Sequence, residues 1–347
     1  MVSDKEKAKT SKGASKKKQK TEFNWRKAFI VFILVMVLGG MIAAWVSMGN
    51  NFNPTTPSSN SSIVSSFNTI ADSLNILPTG ATYVRYSDMK DDPLLGEFLD
   101  GYYGNTLPSY LTFGANATKD TLAIYPAYYF GDTQASSAGS VISLSEFDNA
   151  TLNQSYPTVD NTYISGYSIP MSEVYSYYYF TPKTTPVVSG TMNATTAVLA
   201  TMTGKAEFNT SMDDYAGLFD EINTAHVPID NMTLEAVGNN ANFTMSNINL
   251  SIEQFYAGTG PTSQAVVINN TTYTTYDYSA VLLVNQTPSS NDIQSLYLMS
   301  GSNEKMGFSD YNVSVYGDYI VLQAHAPLAI CIEDMASWGF LKYPVGS

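Results

Sequence analysis

The 347-residue chain has a single cysteine, Cys331, so no disulfide can form within it. The scaffold must stand on core burial alone, which a chain of this length can supply. Cys331 sits in the apolar run "PLAICIEDM", a context that reads as a buried structural thiol. Histidine is almost as scarce. His226 and His325, even with Cys331, cannot furnish the four nitrogen and sulfur ligands of a usual zinc site. The HExxH pair, the G-x-S-x-G elbow and the phosphate-cradling GxxxxGK[ST] loop are all missing. No enzyme class is therefore written in a motif.

Positive charge is scarce after residue 27. Residues 28–347 carry seven Lys and Arg against 27 Asp and Glu, a net charge of −20, whereas the whole chain is −13. A surface of that sign argues against nucleic acid or anionic lipid as a partner of this part. The acidic clusters Asp88, Asp91 and Asp92, Asp213 and Asp214, and Glu333 and Asp334 lack the D-x-D-x-D spacing and glycine of a calcium loop. Acids where helices begin are accounted for by the helix dipole. No metal and no cofactor is expected.

Charge is also absent over one long run. Ala28 to Met48 contains no ionisable side chain and is rich in Ile, Val, Leu, Phe, Met and Ala. As a helix these 21 residues extend roughly 31 Å, the thickness of a bilayer's hydrocarbon core. The spacing predicts a transmembrane helix over 28–49, with Trp25, Arg26, Lys27 and Trp45 at the membrane interfaces. Ten Lys and Arg precede it, and the next positive residue is Arg85. That asymmetry predicts a cytoplasmic amino terminus and an exterior carboxyl-terminal part. The lipid bilayer is thus the first expected partner. Residues 1–27 have the composition of a disordered basic tail.

Beyond the span, residues 50–75 are rich in Ser, Thr, Pro and Asn and read as a linker. From residue 76 an α+β fold of antiparallel sheets with short packed helices is expected, dividing into two modules near 190. Strands are expected at 81–87, 195–204, 232–238, 277–286 and 311–325, the last as a pair about Gly317-Asp318. Helices are expected at 91–104, at 211–225 with Ser211 as cap, and at 289–301 closed by Gly301. The order suggests repeated β-α-β-β units. All 25 tyrosines lie beyond the apolar run, and Tyr175, Tyr177, Tyr178 and Tyr179 cluster in one stretch. Alternation would put Tyr175, Tyr177 and Tyr179 on one face of a strand, as part of a sheet or as a binding platform.

Thirteen N-x-Ser/Thr sequons occur, at Asn60, Asn116, Asn149, Asn153, Asn193, Asn209, Asn231, Asn242, Asn249, Asn269, Asn270, Asn285 and Asn312. All fall on the side that topology places outside, which makes them candidate glycosylation sites on surface loops. The basic tail, single span, Ser/Thr-rich stalk and Tyr- and Asn-rich exterior together resemble archaeal single-pass membrane surface proteins. That resemblance implies a cell-envelope protein whose exterior meets other envelope proteins or glycans. Lys27-Ala28-Phe29-Ile30 also resembles the junction processed in archaeal type IV prepilins, which implies a filament subunit cut after Ala28. An extracellular hydrolase with dispersed carboxylates is the third open reading.

Overall fold

The computed structural model describes residues 63–103, 117–131, 140–147, 164–171, 174–181, 183–206, 209–239, 250–268 and 271–342. The expected membrane span, with Trp25, Arg26, Lys27 and Trp45, lies outside them, as does the prepilin-like junction. Among the described residues no helix is long and apolar enough to cross a membrane.

The chain from Ile63 onward is α+β. Ile63–Val64 (β1) runs parallel to Thr184–Thr185 (β7). The main sheet has 11 strands. They are β2 (Tyr83–Asp88), β3 (Ala117–Tyr125), β4 (Ser140–Phe147), β5 (Ser165–Met171), β6 (Val174–Phe180), β8 (Val187–Gly190), β9 (Leu234–Asn239), β10 (Ile252–Ile268), β11 (Thr271–Val284), β12 (Ser309–Tyr316) and β13 (Tyr319–Pro327). Their lateral order is β12-β13-β11-β10-β9-β2-β3-β4-β8-β6-β5, and every neighbouring pair is antiparallel.

Helices cover both faces, so the central strands read as apolar at successive positions rather than alternating with polar residues. Alternate residues then serve two cores. Tyr83 of β2, Leu234 and Ala236 of β9, Phe255 of β10 and Leu282 of β11 face one core. It is covered by α2 (Pro93–Tyr103), α6 (Ser290–Met306) and α7 (Leu328–Ser337) through Leu95, Leu99, Leu296, Leu328, Ile332 and Met335. Val84, Val237, Tyr256, Val281 and Val321, from the intervening positions, face the other core. There the cover is α1 (Ile70–Ile76), α3 (Met192–Met202), α4 (Ser211–Asp214) and α5 (Ala216–Thr224). Phe340 closes the first core, stacked on Phe255 at 4.7 Å between ring centroids.

Several expectations shift in the structure. Residues 63–75, inside the stretch expected as linker, carry β1 and most of α1. Ile70, Leu74 and Ile76 of α1 are buried, and Thr69 caps the helix by accepting from Asp72 N–H. Of residues 195–204, expected as a strand for their Thr and Val content, 195–202 belong to α3. Thr191 accepts from Ala194 N–H, and Ala194, Thr195, Val198 and Leu199 make one buried helical stripe. Gly204, at φ 65, ends the helical path. The helix expected over 211–225 breaks at Tyr215, which is fully buried and donates its hydroxyl to Ala81 O at 2.8 Å. Its cap position is Thr210, whose N–H bonds Asp213 Oδ2 at 3.1 Å, while Ser211 donates to Pro78 O. Gly301 does not close α6, which runs on to Met306 before Gly307 turns at φ 111.

The hairpin β10–β11 outgrows its neighbours. β9 pairs with β10 only as far as Thr259, and β13 reaches β11 only as far as Thr275. Beyond that, Ala265–Ile268 and Thr271–Thr274 are joined to each other as a two-stranded ribbon. Pro261 falls where the β9 ladder has ended, a position where a missing N–H costs nothing. On the far side of the sheet only Tyr179 and Phe180 of β6 bond β8. The rest of the β5–β6 hairpin extends as a second ribbon, with Tyr175, Tyr177 and Tyr179 at alternate register positions. The registers send the two ribbons out at opposite ends of the strands.

Candidate functional site

The densest polar chemistry lies where β2, β3 and β4 meet. Register sets Asp88 opposite Lys119, and Ser87 opposite Asp120, so successive residues send charge into both faces of the sheet. Arg85 Nη2 lies 3.5 Å from Asp120 Oδ2. Asp120 Oδ1 accepts from the Ser143 and Ser145 hydroxyls, each at 3.0 Å. Arg85 is 2% exposed and Asp120 5%, so this is an ion pair within the fold. On the opposite face Lys119 Nζ is held by Asn68 Oδ1 at 2.7 Å, Phe67 O at 3.4 Å and Asp88 Oδ2 at 3.5 Å. Lys119 therefore ties β3 to the segment entering α1.

This cluster is a set of pins rather than a catalytic constellation. A serine nucleophile needs a base that accepts its proton and a group that orients the base. Ser143 and Ser145 share one carboxylate, and in sheet order β2, β9, β10 and β11 stand between β3 and the His325 strand, β13. His226, at φ 52, is exposed in the turn after α5.

His325 makes a second, half-exposed cluster at the other side of the sheet. Its Nε2 is 3.0 Å from Asp277 Oδ1, and its Nδ1 is 3.6 Å from Asp310 Oδ2. Both ring nitrogens thus face carboxylates, and the Ser309 hydroxyl bonds the His325 backbone oxygen instead of the ring. The group latches β12 and β13 to β11. Asp310 takes φ 52 at a register irregularity of β12, where a short polar side chain tolerates the left-handed region.

A third polar element is Glu235 on β9, 1% exposed. Its Oε2 accepts Ile70 N–H at 3.0 Å, at the start of α1, and its Oε1 accepts the Tyr256 hydroxyl at 3.0 Å. Desolvation outweighs the stabilising effect of those bonds and lifts its pKa from 4.5 to about 7. The same burial carries the Tyr256 phenol well above its ordinary value, with the nearby Glu235 adding to the effect.

In two of the three acidic clusters weighed as calcium ligands, carboxylates are engaged by the fold. Asp88 Oδ1 accepts from the N–H groups of Lys90 and Asp91. Asp92 opens α2 by accepting Leu95 N–H, and it takes the hydroxyls of Thr233 and Tyr276 at 3.0 and 2.9 Å. Asp214 accepts from Thr79 and Gly80. Among the described residues no group of three or more His, Cys, Asp or Glu converges as a metal site. Cys331 is fully buried, and desolvation pushes its thiol up to about 12.

Of the thirteen sequon asparagines, Asn193, Asn209, Asn231, Asn285 and Asn312 fall among the described residues, and all five are exposed. Asn60, Asn116, Asn149, Asn153, Asn242, Asn249, Asn269 and Asn270 lie outside the described residues. Sequence reasoning missed the buried ion pairs and Glu235. One signal was present for the first, because Arg85 is the only arginine after Arg26 and stands in a strand of apolar and aromatic residues.

No family model and no curated protein matches the chain. Among solved structures, crystal form I of TP0453 is similar over 76% of this chain and 96% of its own, at 11% identity and a TM-score of 0.42. Crystal form III of TP0453 covers 76% and 97%, at 11% identity and a TM-score of 0.40.

Proposed function

We propose that this chain is a membrane-anchored cell-envelope protein that presents a glycosylated exterior domain for interaction and catalyses no reaction. The observation that carries the reading is the exposure of all five described sequon asparagines, which lie on α3, near α4, before β9, after β11 and on β12. Sugars at these positions would stand outside both cores. The uncharged run 28–49, with its basic flank, supplies the anchor and the orientation. Engagement of Asp88, Asp92 and Asp213 in a turn, a cap and an ion pair supports a binding role over hydrolysis. Strand–helix–strand–strand order recurs as β2-α2-β3-β4 and β11-α6-β12-β13, and we read these as variants of one unit. The two ribbons at opposite ends of the sheet are the surfaces we assign to partners, envelope proteins or glycans.

Protease added outside intact cells tests the anchor. Cleavage within residues 50–62 should release a folded fragment beginning just before Ile63, whose mass exceeds that of the bare polypeptide by attached glycan. Release of the basic tail instead reverses the orientation. A native chain beginning at Phe29 replaces the anchored protein with a pilin-like subunit.

A further inference from the structure

Resting on the glycoprotein reading, we infer that Asn193, Asn209 and Asn231 take their glycans before the domain folds, whereas Asn285 and Asn312 stay open to attachment afterwards. In the transfer, the asparagine amide nitrogen displaces a polyprenyl phosphate or pyrophosphate from the anomeric carbon of a lipid-linked oligosaccharide. The N–C bond forms, the C–O bond breaks with its electron pair leaving on the phosphate, and one amide proton passes to a base of the transferase. The strict need for Ser or Thr two residues later means that the transferase reads that hydroxyl as well as the amide.

In the fold, three of those hydroxyls are spoken for. Thr195, following Asn193, is fully buried inside α3 and bonds Tyr179 O at 3.5 Å. Ser211, following Asn209, is fully buried and donates to Pro78 O at 2.5 Å. Thr233, following Asn231, is 6% exposed and donates to Asp92 Oδ2 at 3.0 Å. The Asn231 backbone is also pressed on β10, since a Cβ built on Gly260 would lie 2.0 Å from Asn231 O. None of these sequons can enter an enzyme groove without opening of the structure around it.

The other two differ. Asn285 and Thr287 are both exposed, and the Thr287 hydroxyl donates to the carboxylate of Asp318, itself exposed. Asn285 Oδ1 is the end held by the domain, through Ser251 N–H at 2.9 Å, which turns the amide nitrogen away from that contact. Asn312 lies on β12, the outermost strand, already in extended form. A finished glycan is compatible with the fold at the first three sites as well. The Asn193 amide donates to Phe130 O, and an N-linked amide retains one N–H for that bond.

The test compares the full chain, made without glycan and folded in detergent, with synthetic peptides spanning each of the five sequons. Both are given purified oligosaccharyltransferase and lipid-linked oligosaccharide, and occupancy is read by glycopeptide mass spectrometry. All five peptides should be modified. In the folded chain Asn285 and Asn312 should be modified at rates near those of their peptides. Asn193, Asn209 and Asn231 should be slower on the order of 100-fold or more, because only the locally opened population reacts. Equal rates in chain and peptide at those three sites, or peptides that accept no glycan, overturn the inference. Glycan missing from every site of the native protein overturns the glycoprotein reading instead, whatever the rates in vitro.

Discussion

Glu235 should make the stability of the domain fall as pH rises through neutrality. Its carboxyl is 1% exposed and must lose solvation to ionise in the fold. Its pKa is about 7 there, against 4.5 when solvated. Between those values the folded chain holds a proton that the unfolded chain has released. Stability is then full below about pH 4.5, declines by about 1.4 kcal/mol per pH unit, and is lost above about 7. The gap corresponds to about 3 kcal/mol at pH 8, on the order of 5 °C in Tm for a domain of this size. Glu235→Gln imitates the protonated form. Its amide oxygen can keep Ile70 N–H and its NH₂ can donate to the Tyr256 oxygen. Urea unfolding of the full chain and the variant at pH 5, 6, 7 and 8 isolates this group, because other titrations cancel in the difference. The variant should exceed the parent by less than about 1 kcal/mol at pH 5 and by about 3 kcal/mol at pH 8. Parallel curves across the range would refute the argument, and so would a variant that loses stability most at high pH.

Asp120→Asn leaves the Arg85 guanidinium buried beside a neutral amide, and should cost about 3–5 kcal/mol in urea unfolding at pH 7. Unchanged unfolding would mean that the pair is solvated. Gly260→Ala should cost about 1–3 kcal/mol or more, because the added carbon meets the Asn231 carbonyl, which is backbone and cannot swing aside. Gly217→Ala, in α5 with only the Tyr319 hydroxyl 3.4 Å from the new carbon, should instead leave Tm unchanged or raise it by up to about 1 kcal/mol equivalent. Cys331, with its thiol at about 12, should resist alkylation at pH 8 in the native chain and react at an ordinary rate in 8 M urea, with labelling measured by intact mass.

Local signals in the sequence decided the element types where pattern and punctuation agreed. "ATYVRYS" became β2 because β-branched and aromatic residues suit a strand buried on both faces. Pro93 opens α2 and Leu95 and Leu99 reach the core, as their helical spacing requires. Gly317-Asp318 turns β12 into β13. The α+β class followed from these elements. At α3 the local signals conflicted, with Thr and Val favouring a strand and the i, i+4 apolar spacing a helix. The second core settled that conflict by needing Ala194 and Val198 on one face. Tertiary structure alone decided the rest. That Asp120 would meet Arg85, Ser143 and Ser145 depends on the pairing of β2, β3 and β4, which no spacing in the chain encodes. Exposure of Asn231 beside burial of Thr233 likewise depends on β9 and β10 packing against the start of α2. Sequence fixes which groups can ionise or donate. Only the packed sheet fixes which of them lose water, and the loss of water sets both the Glu235 pKa and the access to the sequons.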